Sequence, residues 1–366
     1  MYINSIGIPV SELSYARSEF NFLDDAQLQN LYLDWVSNDV FLIIKKTTNE
    51  QTQYKCMKAS KRGNDVYQYR LQKKLSVLKE NVLRGITSYM HSDSFSTNTF
   101  FITLTTDPKN YENSKSAWHD LSYQLNLFLS NFYKRLKKHY LDMGFNLKIK
   151  IDKLRSYEMH ENSYPHVHLL VQLYTVDYQG HVTPLVVSDC FDYNGKNRAP
   201  DWLNDMVHEA WTSQIVDVQA IINDEKGIGL VDYILKYIFK NQWDKLNDVN
   251  VKHTLCLAYQ WAMGMRSYAC SRAFMRATND LIVKSITQTQ IILYEFIGLI
   301  EFKNLNEFLQ KKEMLDKYKN KDNTQKWSYV LSDIDAILNY IYMPSHLKIR
   351  YGRQKYRQRR SFGGAL

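Results

Sequence analysis

Between Leu147 and Tyr174 two β-rich runs, Leu147–His160 and His166–Tyr174, are separated only by the short polar segment Glu161–Pro165. A connection that short joins antiparallel neighbours, because a parallel pair needs a crossover of about a dozen residues or more. The middle of the chain is therefore expected to hold a β-hairpin. In a hairpin, side-chain parity is fixed. Residues two apart share a face, and residues opposite each other across the pair share it too.

The flanking segments extend the pattern. Thr99–Thr106 is a β-rich run ending at Asp107-Pro108. Ser114 is placed to cap a helix running to about Tyr140, with Trp118, Leu121, Leu125, Phe128, Phe132 and Leu136 at helical spacing. Pro200-Asp201 opens a second helix to about Trp211, Ile215–Ile221 reads as a strand, and Leu230–Lys240 reads as a helix. This alternation predicts an α+β fold, a central antiparallel sheet with helices packed against it.

Upstream, residues 24–38 predict a short amphipathic helix, Val40–Thr47 and Thr52–Lys58 a strand pair, and Asp65–His91 a long basic helix. Beyond about residue 285 the pattern reads as helical and polar. The organisation expected is an N-terminal accessory region over 1–95, the sheet domain over 96–284, a helical C-terminal region over 285–344 and a basic tail over 345–366.

Charge and cysteine usage narrow the class of partner. The formal net charge is +9, and the stretch from Ser345 to Leu366 carries Lys348, Arg350, Arg353, Lys355, Arg357, Arg359 and Arg360 with no acidic residue. An excess of that sign suits a polyanion without identifying one. The four cysteines form no CxxC pair, which is the pattern of a reduced, cytoplasmic protein. The N-terminal segment has no apolar signal-peptide core, and the longest apolar stretch, Ile291–Ile300, is too short to span a bilayer and contains Glu295. No membrane partner is expected.

Three segments carry chemistry. The first, Phe100-Phe101-Ile102-Thr103-Leu104-Thr105-Thr106, alternates apolar and hydroxyl side chains, and an ordinary strand with one buried face explains it equally well. The second, Tyr164-Pro165-His166-Val167-His168-Leu169-Leu170, puts two imidazoles on one face of a strand, with Val167 and Leu169 turned into the core. Two such rings can hold a divalent cation. The spacing is cheap: a chain of this composition contains roughly 0.3 His-x-His by chance. The hairpin adds Glu158, whose parity brings it close to His168 on the same face, with His160 as a rival third ligand. Mixed nitrogen and oxygen ligation with open positions suits Mg²⁺ or Mn²⁺ on phosphate oxygens.

The third segment is Asp232–Lys240. On a helix, Tyr233, Lys236, Tyr237 and Lys240 share a face while Ile234, Leu235 and Ile238 are free to pack. A cation beside a phenol stabilises phenolate, which is scarce at neutral pH for a group of reference pKa near 10. Tyr-x-x-x-Tyr alone is uninformative, since chance supplies roughly two per chain here. Tyr174 and Tyr178 match it with no lysine between them, and a tyrosine stripe is more often packing than catalysis.

In this order and spacing the three segments resemble the motifs of rolling-circle replication initiators of the HUH endonuclease superfamily, in the two-tyrosine form. FFITLTT resembles the first motif, RSYEMHENSYPHVHLL the second, and Tyr233–Lys236–Tyr237 the third. The segments WTSQIVDVQAI and MRSYACSR fit strands of the same fold, so the resemblance spans about residues 97–280.

It implies His166 and His168 as metal ligands with Glu158 the third, Tyr233 as first nucleophile, Tyr237 as second, and Lys236 on the scissile phosphate. It also implies single-stranded DNA and an origin hairpin as substrate. Lys240, Arg350, Arg353, Lys355 and Arg357 are candidate DNA contacts, by charge. The chain has no G-x-x-x-x-G-K-[ST] loop, so unwinding would fall to a host helicase and synthesis to a host polymerase. A transposase or relaxase shares the motifs, and a DNA-binding protein with a vestigial site shares the composition.

Overall fold

In the computed structural model the expected hairpin is formed by Ile149–Met159 and Pro165–Val176, paired antiparallel from Ile149 opposite Thr175 to Met159 opposite Pro165. The structure describes residues 2–3, 9–10, 12–47, 52–240, 251–275, 293–301, 304–305, 328–331 and 335–342. The chain divides into two compact units, residues 1–33 with 68–281 and residues 34–67 with 282–366.

In the first unit the hairpin lies within a ten-stranded sheet. Across the sheet run Tyr268–Cys270, Ile149–Met159, Pro165–Val176, Thr99–Thr105, Ile215–Ile221, Lys196–Arg198, Val187–Tyr193, Phe95–Thr97 and Ser88–Met90, with Val182–Pro184 added beside Pro165–Val176. Each described pair is antiparallel.

Pro165–Val176 is central and has helices on both sides. Val167, Leu169 and Val171 stand opposite Leu104, Ile102 and Phe100, and all six are almost fully buried. The helix Ser114–Asp142 supplies the layer over that face with Trp118, Leu121, Leu125, Phe128, Phe132 and Leu136. Each such side chain contributes about 1.5–3 kcal/mol by leaving water. Over the other face lies the helix Glu225–Lys240, whose Val231, Ile234, Leu235 and Ile238 are buried as the expected apolar stripe.

Several boundaries differ from the sequence reading for local reasons. The cap of Ser114–Asp142 is Asn113, not Ser114: its side chain accepts from Ser116 N at 3.0 Å, and the Ser116 hydroxyl returns a bond to the Asn113 backbone. The long basic helix stops at Gly85 rather than His91. The buried Asn98 ends it, donating to Gly85 O at 3.1 Å and accepting from Thr87 N at 2.9 Å. The tyrosine helix begins at Glu225, not Leu230, because Asp224 caps it by accepting from Gly227 N at 2.7 Å. Gly227 breaks the apolar pattern but is required there, since a Cβ would sit 1.9 Å from Ile222 O.

The hairpin Val187–Tyr193 to Lys196–Arg198 was not read from the sequence. Its two-residue turn is Asn194-Gly195, both at positive φ, the turn chemistry that an Asn-Gly pair favours.

The second unit corrects the expectation of a helical region over 285–344. Where that stretch is described it contains the strands Leu293–Glu301 and Ser328–Leu331 and the short 3-10 segment Asp335–Tyr340. The strands flank the Val40–Thr47/Thr52–Lys58 pair, in the order Leu293–Glu301, Val40–Thr47, Thr52–Lys58, Ser328–Leu331. Phe41, Ile43, Cys56, Ile300, Leu305 and Ile337 form its core. Residues 1–95 are therefore not one separate region: 34–67 belong with the C-terminal strands, and 1–33 and 68–95 belong with the large sheet. The basic tail, with Arg350, Arg353, Lys355 and Arg357, lies outside the described residues. No described helix is long and apolar enough to cross a membrane.

Candidate active site

One face of the large sheet collects polar side chains by parity alone. His166 is opposite both Thr105 and Glu158, and His168 is opposite both Thr103 and Ser156. One strand further, Asp217 is opposite Thr103 and Gln219 is opposite Phe101. Val167 and Leu169, between and after the histidines, go to the other face. The hairpin thus sets Glu158, His166 and His168 on a common side, as its parity predicts.

Each imidazole is held at Nδ1 by a threonine hydroxyl. Thr105 Oγ1 is 2.9 Å from His166 Nδ1, and Thr103 Oγ1 is 3.3 Å from His168 Nδ1. The two rings are 4.8 Å apart, centre to centre. His168 is buried, and Phe101 stacks on it at 5.4 Å. Its Nε2 meets Glu158 Oε2 at 3.0 Å. In register Glu158 is opposite His166, so its carboxylate reaches diagonally to the neighbouring ring. Burial, reinforced by His168 and His160 and opposed by Glu158, drives the His166 pKa down to about 4. His166 is therefore neutral at physiological pH, the protonation state of a ligand imidazole. His160 is exposed at the turn, its ring 6.2 Å from that of His166.

Tyr233 completes the wall. Its ring sits edge-on to His168 at 5.6 Å and to Phe101 at 5.9 Å, and it is 38% exposed, open to an incoming group. The cleft it shares with the histidines has a volume of about 410 Å³ and is closed on the far side by Asp217, Gln219, Lys226, Gly229 and Leu230. Lys226, Gly229, Leu230 and Tyr233 recur at helical spacing, so one helix face lines the cleft. Lys226 also pairs with Asp192 at 3.0 Å, and Arg198 pairs with Asp217.

The structure brings together Glu158, His166, His168 and Tyr233. Lys236 is exposed on the same helix and does not line the cleft. The side chains of Tyr237 and Lys240 lie outside the described residues, although both belong to that helix. The sequence reading missed Asp217, Gln219 and Lys226. The alternation Val216–Val218–Ala220 against Asp217–Gln219 already assigned the first two to a polar face; Lys226 carried no signal once the helix was started at Leu230.

Among the described residues no group of three or more His, Cys, Asp or Glu side chains is drawn together closely enough to hold a metal ion. What is present is the Glu158–His168 pair with His166 beside it. The donor chemistry of this set suits a divalent cation. Both Nδ1 atoms are engaged by hydroxyls, leaving Nε2 as the ligand atom, and a carboxylate lies on the same face. The 3.0 Å separation of His168 Nε2 and Glu158 Oε2 also matches two ligands at right angles around an ion with bonds of about 2.1 Å.

The arrangement defines a class: an antiparallel α+β sheet presenting a histidine pair, a carboxylate and a helix-borne tyrosine in one cleft. Residues 99–242 match the family model of replication-associated protein ORF2, a segment that contains all four of these side chains together with Lys236 and Tyr237. The match supports a replication-associated role. No curated protein and no solved structure matches the chain.

Proposed function

We propose that the chain initiates rolling-circle replication by nicking single-stranded origin DNA through transesterification. The observation that carries this reading is the Tyr233 ring 5.6 Å from His168 in an open cleft that also holds His166 and lies beside Glu158. A tyrosine against a histidine–carboxylate cluster suits phosphoryl transfer to a side-chain oxygen. The Tyr233 phenol oxygen forms a bond to phosphorus and releases its proton. The bond from phosphorus to the 3′ oxygen breaks, and that oxygen takes up a proton and leaves as a free 3′-OH. The product is a 5′-phosphotyrosine. One phosphodiester replaces another, so the step is reversible and the same site can rejoin strands.

His166, His168 and Glu158 would hold Mg²⁺ or Mn²⁺, which supplies charge stabilisation to the non-bridging phosphate oxygens. Tyr237, one helical turn beyond Tyr233, is the second acceptor for a later transfer, and Lys236 serves the phosphate from the helix surface. The substrate's backbone and bases need basic and stacking surfaces, for which Lys240 and the tail residues Arg350, Arg353, Lys355 and Arg357 are the candidates. Unwinding and synthesis are left to a host helicase and polymerase.

The test is a denaturing gel of 5′- and 3′-labelled single-stranded oligonucleotides incubated with the protein and Mn²⁺. The expected product is a protein–DNA adduct on the 5′ end of the nick and a free 3′ end. Tyr233→Phe should abolish the first nick while leaving DNA binding intact. Nicking that survives in the Tyr233→Phe/Tyr237→Phe double variant would sink the tyrosine mechanism.

A further inference from the structure

We propose that Thr103 and Thr105 are positioning residues that select which ring nitrogen of His168 and His166 carries the proton. The inference rests on reading the two histidines as ligand imidazoles. Its basis is the register: on Thr99–Thr105 every second residue faces the cleft, and the two hydroxyls fall directly opposite the two imidazoles. Thr105 reaches His166 Nδ1 at 2.9 Å and Thr103 reaches His168 Nδ1 at 3.3 Å. Ring orientation and proton position are thereby tied to the neighbouring strand rather than to the hairpin itself.

The chemical type of the partner matters. A carboxylate or a backbone carbonyl at Nδ1 can only accept and would fix the proton there. A backbone N–H can only donate and would exclude it. A hydroxyl does either. The two histidines need that latitude to different degrees. His168 Nε2 faces a carboxylate oxygen of Glu158 at 3.0 Å, so in this arrangement its proton sits on Nε2 and Thr103 donates to a bare Nδ1. For Nε2 to become a ligand the proton must move to Nδ1, and the Thr103 hydroxyl must turn from donor to acceptor. The ring keeps the same number of protons.

His166 is the simpler case. Its Nε2 has no hydrogen-bond partner among the described residues, and with Nδ1–H donated to Thr105 that nitrogen presents a lone pair. Thr105 thus holds His166 ready as a ligand, while Thr103 lets His168 alternate between the Glu158 pair and ligation.

Long-range ¹H–¹⁵N correlation spectra of the metal-free, full-length protein read the tautomers directly, and manganese EPR titration reads Mn²⁺ affinity. Thr105→Val and Thr103→Val keep the β-branched shape and remove the hydroxyl; Thr→Ser at each position restores it. Wild-type protein should show His166 protonated on Nδ1 and His168 on Nε2. Thr105→Val should lose the Nδ1–H preference of His166 and weaken Mn²⁺ binding about 10- to 100-fold, and serine should recover both. If a valine variant fails to fold, alanine at the same position makes the same comparison.

An unchanged His166 tautomer in every hydroxyl-free variant, or an Nε2–H His166 in the wild type, overturns the inference. Tautomers that move as stated in a protein that binds no Mn²⁺ would uphold the positioning role and dismiss the metal reading instead.

Discussion

The two faces of the strand Pro165–Val176 are built from one alternating sequence and serve different ends. Val167, Leu169 and Val171 are fully buried against Phe100, Ile102, Leu104 and the helix Ser114–Asp142. His166 and His168 sit one residue away on the other side, against threonine hydroxyls, a carboxylate and the tyrosine helix. The contrast teaches that a central strand can hold a polar site rigidly because its opposite face is close-packed. A helix covers both faces, but over the histidines it leaves a cleft instead of a seal. Position and chemistry are thus divided between alternate residues, and substitutions on the two faces should separate them.

The largest effect should come from the polar face. His168→Gln keeps a polar side chain in the buried position but loses the imidazole and its bond to Glu158. Nicking of a single-stranded oligonucleotide should fall by at least about 10³-fold, with the unfolding transition still cooperative. Leu169→Ala on the opposite face should do the reverse. It should cost about 2–5 kcal/mol in urea denaturation, as a truncated core leucine does. Activity per folded molecule should be kept. If Leu169→Ala also removes specific activity, the two faces are coupled and the division proposed here fails.

How much of this was legible follows from the same alternation. The hairpin parity of Glu158, His166 and His168 could be read because it depends on neighbours in sequence. So could the helix carrying Tyr233 and the buried stripe at Ile234, Leu235 and Ile238. The second unit could not. Its sheet pairs Val40–Thr47 with Leu293–Glu301, far apart in the chain, and an apolar run of that length reads as helix or strand with equal ease until its partner is known. The bond from Glu158 to His168 rather than to His166 directly opposite is set by side-chain reach, which register alone does not decide. Asn194-Gly195 is a different kind of omission: the turn signal was present, but the surrounding residues lack strong alternation.

A smaller effect separates His166 from its apolar neighbours by pH. Burial holds its folded pKa at about 4, below the unfolded value near 6.5. Between those values the unfolded chain binds a proton that the folded chain refuses. Stability of the metal-free protein should therefore fall as pH drops from about 6.5 towards 4 and be insensitive to this group above that window. His166→Gln should remove that part of the slope in urea midpoints measured against pH. An identical slope in the variant would assign the acid sensitivity to other groups.

The smallest expected effect marks where the site ends. Gln172 shares the histidines' parity but lies two positions beyond Leu170, fully buried. Its Nε2 donates to Val82 O at 2.8 Å, and its Oε1 accepts from the Tyr174 hydroxyl at 2.9 Å. These bonds tie the strand to the helix Asp65–Gly85, which comes so close that a Cβ at Gly85 would sit 2.4 Å from Gln172 Oε1. Gln172 is therefore a structural polar group on the chemical face. Gln172→Leu leaves both the Val82 carbonyl and the Tyr174 hydroxyl without this partner, which should cost about 1–3 kcal/mol in urea denaturation. The rate of nicking by folded protein should not change, since Gln172 does not line the cleft. A loss of nicking that exceeds the loss of folded protein would extend the site past Leu170. Face parity, rather than distance from the histidines, would then define its limit.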